Sequence, residues 1–234
     1  MIEVNNGIFT VTNNRDIYVL GDIHGDYQCL LHCLVDLCQL CTITRLDETG
    51  HEYLEWNNNC SNILIFCGDL IHRKRFIDHV LDDECSDIYI INTLIRLKHQ
   101  AVSNNGNIII IAGNHEIMNI LNPNEHTYTS QKNISMNDKY FNNTNFVNTY
   151  INNSYAWIKL NDILIAHGGL CSDYLKYIDT SLSLGDNIDV VKLLNDKYKQ
   201  FFHDYTPSKI ASDRDAQKLF VDYDINNKCK HNMF

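Results

Sequence analysis

Four short segments of the chain set glycine beside residue types that bind metal ions or phosphate. They are Gly21-Asp22-Ile23-His24-Gly25-Asp26, Gly68-Asp69, Gly113-Asn114-His115-Glu116 and His167-Gly168-Gly169. Carboxylate, imidazole and amide oxygens together make a mixed donor set suited to manganese, iron or zinc. The glycines let the backbone turn sharply beside a bound ion. A carboxylate shared by two ions holds them roughly 3.5–4 Å apart, the spacing that activates water and stabilises both ends of a phosphoryl displacement. Asp69, within the stretch LIFCGDLIHRKR at residues 64–75, is the residue chosen for that bridge. Arg73, a little further along, offers a planar fork of donors matched to phosphate oxygens.

Taken singly these residues have ordinary explanations. Asp22, Asp69 and Asn114 are of the types that cap helices, His115 alone reads as a structural histidine, and Arg73 lies in the solvated run Arg73-Lys74-Arg75. Glu116 reads as a supporting carboxylate. What argues for chemistry is that each segment follows a short apolar run of buried-strand length: Asp16 to Leu20, Asn62 to Cys67, Asn107 to Ala112 and Asp162 to Ala166. In α/β sheets ligands collect beyond the carboxyl ends of the strands, so these distant segments are expected to meet in one crevice.

Helical periodicity separates the first three runs. Tyr27 to Cys41 carries Leu30, Leu31, Leu34, Leu37, Cys38 and Cys41 on one stripe, and Phe76 to Leu97 continues through Val80, Ile88, Ile91, Leu94 and Ile95. The resulting β-α-β-α-β order favours an α/β sheet faced by helices. Thr42 to Trp56 breaks the rhythm with two alternating segments about Asp47-Glu48-Thr49-Gly50, which predicts a β-hairpin. From Asn119 to Tyr155 the chain is polar and rich in asparagine, consistent with short helices and loops at one edge.

At 234 residues and 44% hydrophobic content, one domain over residues 1–234 is expected. The N-terminus lacks the features of a signal peptide and no apolar run reaches membrane-spanning length, so no membrane association and an intracellular, cytoplasmic location are expected. The 9 cysteines lie in apolar stretches and are expected to be free, mostly buried thiols, with Cys29 and Cys33 in the core. Cys38, Cys41 and Cys229 do not make a zinc-finger spacing. A formal net charge of −10 without a long basic face argues against nucleic-acid binding.

Taken in order, GDIHGD, GDLIHR, GNHE and AHGG resemble the signature of the calcineurin-like metallophosphoesterases, and more closely of the phosphoprotein phosphatase group. The hairpin bearing Asp47 and Trp56 is similar to that of the bacterial-type branch. The resemblance spans most of the chain and implies a four-layer αββα sandwich with a β-sheet core and flanking helices. It implies two metal ions (Mn, Fe or Zn), with Asp22 and His24 on the first, Asp69 bridging, and Asn114 and His167 on the second. It implies His115 as proton donor to the leaving oxygen and Arg73 as a phosphate grip, with Arg214 a further phosphate contact. The activity implied is hydrolysis of phosphomonoesters, on serine, threonine or tyrosine phosphoproteins. Dinucleoside polyphosphate or cyclic nucleotide hydrolysis, or a weakly active or inactive relative that only binds phosphate, remain alternatives.

Two departures from the family pattern stand out. The family has Asp three residues after the bridging Asp, where this chain has His72. It also continues to a Gly-His motif with a last metal ligand, whereas this chain stops soon after Tyr223-Asp224-Ile225, which leads to the expectation that the last strand and ligand are missing. His203 and His231 are read as surface or packing residues rather than replacements for that ligand.

Overall fold

The computed structural model describes residues 2–12, 14–48, 50–72, 85–121, 136, 138–168 and 189–203. Arg73, Val80, Arg214 and His231, together with the expected approach to a last strand, lie outside these residues.

The chain opens with a hairpin of β1 (Ile2–Asn5) and β2 (Ile8–Val11). Strand and helix then alternate through β3 (Ile17–Leu20), α1 (Tyr27–Leu31), the hairpin β4 (Cys41–Leu46) and β5 (Glu52–Trp56), β6 (Ile63–Phe66) and α2 (Asp87–Ser103). They continue through β7 (Asn107–Ile111), α3 (Asn114–Leu121), α4 (Thr144–Asn153) and β8 (Ser154–Tyr155). The antiparallel pair β9 (Trp157–Leu160) and β10 (Ile163–Ala166) and the helix α5 (Val190–Phe202) follow.

Two sheets form the centre. One is parallel, in the order β3-β6-β7-β8, and the other runs β1-β2-β9-β10. Every residue of β6 and β7 is buried, as a parallel strand covered on both faces requires. Alternation divides the work. Ile63, Ile65, Ile109 and Ile111 face the second sheet and pack with Phe9, Ile158 and Leu160. Leu64, Phe66, Ile108 and Ile110 face the opposite way, into the larger core beneath the helices. The buried side of α5 joins that larger core, and its buried Asn195 ties the helix to the start of β9, donating to the Trp157 carbonyl at 2.7 Å and accepting from the Ala156 N–H at 2.8 Å. Two facing sheets with helices packed against them make the layered α/β architecture.

The expected strands and the hairpin are present, but the run 163–166 belongs to the second sheet, antiparallel to β9, and not beside the other three. The hydrophobic stripe read from 27 to 41 is interrupted. After α1 the chain widens into a π-helical turn over His32–Leu37, and the extra residue per turn rotates Leu37 away from the core to 64% exposure while Leu34 stays buried. The reading of the cysteines is corrected as well. Cys29 is exposed and Cys33 only half-buried, and Cys41 is the one buried thiol among the described cysteines. Helix α2 keeps Ile88, Ile91, Leu94 and Ile95 buried and runs on to Ser103, beyond the expected end at Leu97. Among the described residues no helix is long and apolar enough to cross a membrane.

Candidate metal centre

Because β3, β6 and β7 are parallel and paired in register, Leu20 lies beside Phe66 and Phe66 beside Ile110, so all three strands end at one level. The loop after β3 delivers Asp22 and His24, the loop after β6 delivers Asp69, and the first turn of α3 delivers Asn114 and His115. Strand β10 of the second sheet brings His167 to the same place. Asp26, at the end of the first motif, has a local duty: its carboxylate caps α1 by accepting from the Cys29 N–H at 2.8 Å.

The loops touch through glycine. A Cβ on Gly113 would collide with the backbone nitrogen and carboxylate of Asp69, and one on Gly68, at φ +102°, would lie 2.7 Å from the Gly113 Cα. Three non-glycine residues hold left-handed backbone here, His24 (φ 47°), Asp69 (φ 50°) and His72 (φ 72°), at a cost of about 1–3 kcal/mol each. The strain is held by a dense set of hydrogen bonds. The Asp69 carbonyl accepts from the N–H groups of Ile23 at 3.0 Å and His24 at 2.8 Å. The fully buried Glu116 accepts on Oε1 from Leu70 (2.7 Å) and Ile71 (3.2 Å), and on Oε2 from Asp69 (3.1 Å) and Gly113 (2.9 Å). Burial and the Asp69 charge push the Glu116 carboxyl up to about 7, against the pull of the backbone donors of Gly113 and Leu70.

The donor atoms converge in two groups. His24 Nδ1 lies 3.2 Å from the Ile71 carbonyl, and His167 Nδ1 lies 2.6 Å from the Cys67 carbonyl. A carbonyl only accepts, so both rings carry hydrogen on Nδ1, the arrangement that orients metal-binding imidazoles. His24 Nε2 then faces Asp22 Oδ2 at 3.5 Å and Asp69 Oδ2 at 3.7 Å. His167 Nε2 faces Asn114 Oδ1 at 3.0 Å and Asp69 Oδ2 at 3.4 Å. Acceptors crowd together in this way only around a proton or a cation. Two clusters of possible ligand atoms lie within 4.8 Å, Asp22-Asp69-His167 and His24-Asp69-His115, and Asp69 belongs to both. The donor types present fit a metal ion, but these groupings cut across the resemblance, which sets Asp22 with His24 and keeps His115 as a proton donor off the metal.

Without a cation, a proton does this work on His167. Burial disfavours the charged ring, but the hydrogen bond and charge of Asp69, with smaller help from the Cys67 carbonyl and Glu116, raise it to about 9. In turn His167 and His115 hold Asp69 below the usual carboxylate range despite its burial. The sign for metal binding follows. Between pH 7 and 9 an incoming ion must displace the His167 proton, so affinity is expected to rise about tenfold per pH unit and to level off above 9. Calorimetric titration of the metal-free protein in two buffers of different ionisation enthalpy should show about one proton released per chain at pH 7.5. No proton release would exclude His167 as the displaced group.

His115 sits at the rim with its ring edge-on to His24, centroids 4.8 Å apart, and its Nε2 lies 3.8 Å from Asp69 Oδ2. Its backbone N–H donates to Asp69 Oδ1 at 3.0 Å. Behind it stands His72, 1% exposed, with Nδ1 2.7 Å from His115 Nδ1. The His72 N–H donates to Asp87 Oδ2 at 3.1 Å. Asn119 Nδ2 lies 2.6 Å from His72 Nε2 and 2.9 Å from the His115 carbonyl. The sequence reading missed Asn119 and Asp87. Asn119 was open to discovery, since four residues after His115 on a helix is the same face. His203 is exposed, as the C-terminal cap of α5.

A sequence model of the calcineurin-like phosphoesterases matches residues 16–229, and the chain belongs to that family. Among curated proteins it is similar to Shewanella-like protein phosphatase 1 of Plasmodium berghei (strain Anka), 27% identical over 230 residues, covering 92% of this chain and 56% of that protein. Among solved structures it is similar to a cold-active protein tyrosine phosphatase, with a TM-score of 0.59 and 20% identity over 90% of this chain and 55% of the other. A second such structure, from a psychrophilic Shewanella species, gives a TM-score of 0.51 over 86% of this chain and 62% of its own. The likeness in structure is one of fold. The chain spans little more than half the length of these proteins.

Proposed function

We propose that the chain is a metal-dependent phosphomonoesterase that acts on phosphoproteins. The observation that carries this reading is the convergence of the His24 and His167 Nε2 atoms on one carboxylate oxygen of Asp69, each ring backed by a backbone carbonyl. In this reading Asp22 and His24 hold one ion, Asn114 and His167 the other, and Asp69 both. When bound, manganese, iron or zinc ions supply the positive charge that draws phosphate oxygens and makes water acidic enough to act as nucleophile. The chain's own residues do the rest. Glu116 and the crossed glycines keep the loops at fixed separation, so the ligands need no rearrangement to receive phosphate. His115 Nε2 faces the centre and is placed to give hydrogen to the ester oxygen that leaves. Arg73 and Arg214 are assigned to the phosphate by the family pattern alone. Serine, threonine and tyrosine phosphoproteins are all within the proposed range.

His72 favours a second reading, in which proton donation is weak and the chain hydrolyses slowly or serves to bind phosphate. One set of assays separates the possibilities. Purified protein with added manganese is given phosphopeptides, a dinucleoside tetraphosphate and a cyclic nucleotide, each with and without chelator. Chelator-sensitive release of phosphate from peptides is the expected result. A clear preference for either nucleotide would overturn the phosphoprotein reading, and saturable phosphate binding with no turnover would favour the second.

A further inference from the structure

We propose that Asn119 and His72 are positioning residues that form a hydrogen-bond relay onto His115, fixing hydrogen on its Nε2 and so keeping it a donor toward the metal centre and not a ligand within it. The argument begins at a backbone carbonyl. The His115 C=O can only accept, so the Asn119 side-chain atom 2.9 Å from it is the amide nitrogen and donates. That same nitrogen is 2.6 Å from His72 Nε2, which therefore meets it with a lone pair. A neutral imidazole carries one hydrogen, so that of His72 is on Nδ1, 2.7 Å from His115 Nδ1. His115 Nδ1 in turn accepts, and its own hydrogen is left on Nε2, the atom that faces Asp69.

The alternatives clash. Hydrogen on His72 Nε2 would point at the Asn119 amide hydrogens, and hydrogen on His115 Nδ1 would point at that of His72. Burial keeps water from rescuing either arrangement: His72 and Asn119 are each 1% exposed. His72 is further fixed by its N–H bond to Asp87 and its left-handed backbone.

This polarity is the reverse of what a carboxylate at position 72 would impose. Asp would accept from His115 Nδ1–H and leave Nε2 free to pick up and release a proton. His72 donates instead, so His115 Nε2 offers a hydrogen bond, and full release of that hydrogen would leave an imidazolate. It also explains why His115, although within reach of Asp69 and His24, lacks the lone pair a metal ligand needs on Nε2. The catalytic consequence rests on the hydrolase reading above: leaving groups that need little protonation, such as aryl oxides, should be favoured over alkoxides.

The test is long-range 1H–15N correlation of the histidine side chains in zinc-loaded protein, with assignments from His72→Phe. The wild-type spectrum should show hydrogen on Nδ1 of His72 and on Nε2 of His115. In Asn119→Asp the new carboxylate accepts from His72 Nε2–H and the relay should reverse, moving hydrogen to Nδ1 of His115. The ratio of alkyl to aryl phosphate hydrolysis should rise about tenfold in that variant, a modest share of what a general acid contributes. A wild-type His115 with hydrogen on Nδ1 overturns the proposal even if the variant fails to fold, and so does a folded Asn119→Asp with unchanged tautomers. The spectra need no turnover. The expected tautomers in a protein that hydrolyses no phosphate ester would uphold the relay and count against the hydrolase reading alone.

Discussion

Asp69→Asn is expected to remove metal binding and hydrolysis together. Its Oδ2 is approached by His24 Nε2 at 3.7 Å and His167 Nε2 at 3.4 Å, so one oxygen serves both halves of the centre. Asparagine keeps nearly the same shape. Its amide oxygen can still accept the His115 N–H that Oδ1 holds at 3.0 Å, and the loop hydrogen bonds through the Asp69 backbone are untouched. What disappears is the negative charge between two cation positions, which nothing nearby replaces in kind because Glu116 is turned away to four backbone donors. Metal content measured on purified protein should fall from about two ions per chain to less than one, and phosphate ester hydrolysis by at least about 10³-fold, while the metal-free protein also loses the ion pair between Asp69 and protonated His167 and melts lower at pH 7. Two ions retained at full affinity would remove Asp69 from the bridge.

The second large effect is expected at Glu116, and there the loss is of stability as well as activity. Both carboxylate oxygens of this fully buried side chain accept two N–H groups, so Glu116→Gln sets an NH₂ group against two backbone donors and leaves them buried without acceptors. Two buried donors left without acceptors cost about 1–3 kcal/mol each, and losing a carboxylate charge that burial and Asp69 already disfavour offsets part of this, for a net loss of about 2–4 kcal/mol. For a chain of this size that lowers the melting temperature by on the order of 10 °C. The damage falls on the loop of residues 69–71 and on Gly113, so metal affinity should drop even at temperatures where the variant is folded. Thermal unfolding of the metal-free variant, followed by circular dichroism, measures the first effect, and a loss within about 1 kcal/mol would show that water or a rearranged loop satisfies those donors.

Much of the candidate centre is legible in the sequence because each proposed ligand follows closely on an apolar run. A strand such as Asn107–Ile111, buried throughout, has no residue to spare for polar chemistry until it ends, and the next turn then carries Asn114 and His115. In-register parallel pairing of β3, β6 and β7 does the rest. His167 is reached by other means. Its strand lies in the second sheet, and a β-branched run of four residues does not reveal which sheet it joins. The left-handed conformations of His24, Asp69 and His72 are equally hidden, since the usual expectation for such positions is glycine or asparagine. They persist here because Glu116 and the Asp69 carbonyl hold the loops from both sides. The π-helical turn after α1 misplaced Leu37 for a comparable reason: periodicity assumes 3.6 residues per turn, and the change of winding leaves no mark in composition.

The central claim is that Asp22, His24, Asp69, Asn114 and His167 form one centre for two cations with Asp69 between them. Crystals grown with manganese and measured for its anomalous scattering test it most directly. The account predicts two peaks roughly 3.5–4 Å apart, both beside the Asp69 carboxylate, with His24 and His167 Nε2 on opposite ions. A single peak, or two peaks of which either lies away from Asp69, would contradict it.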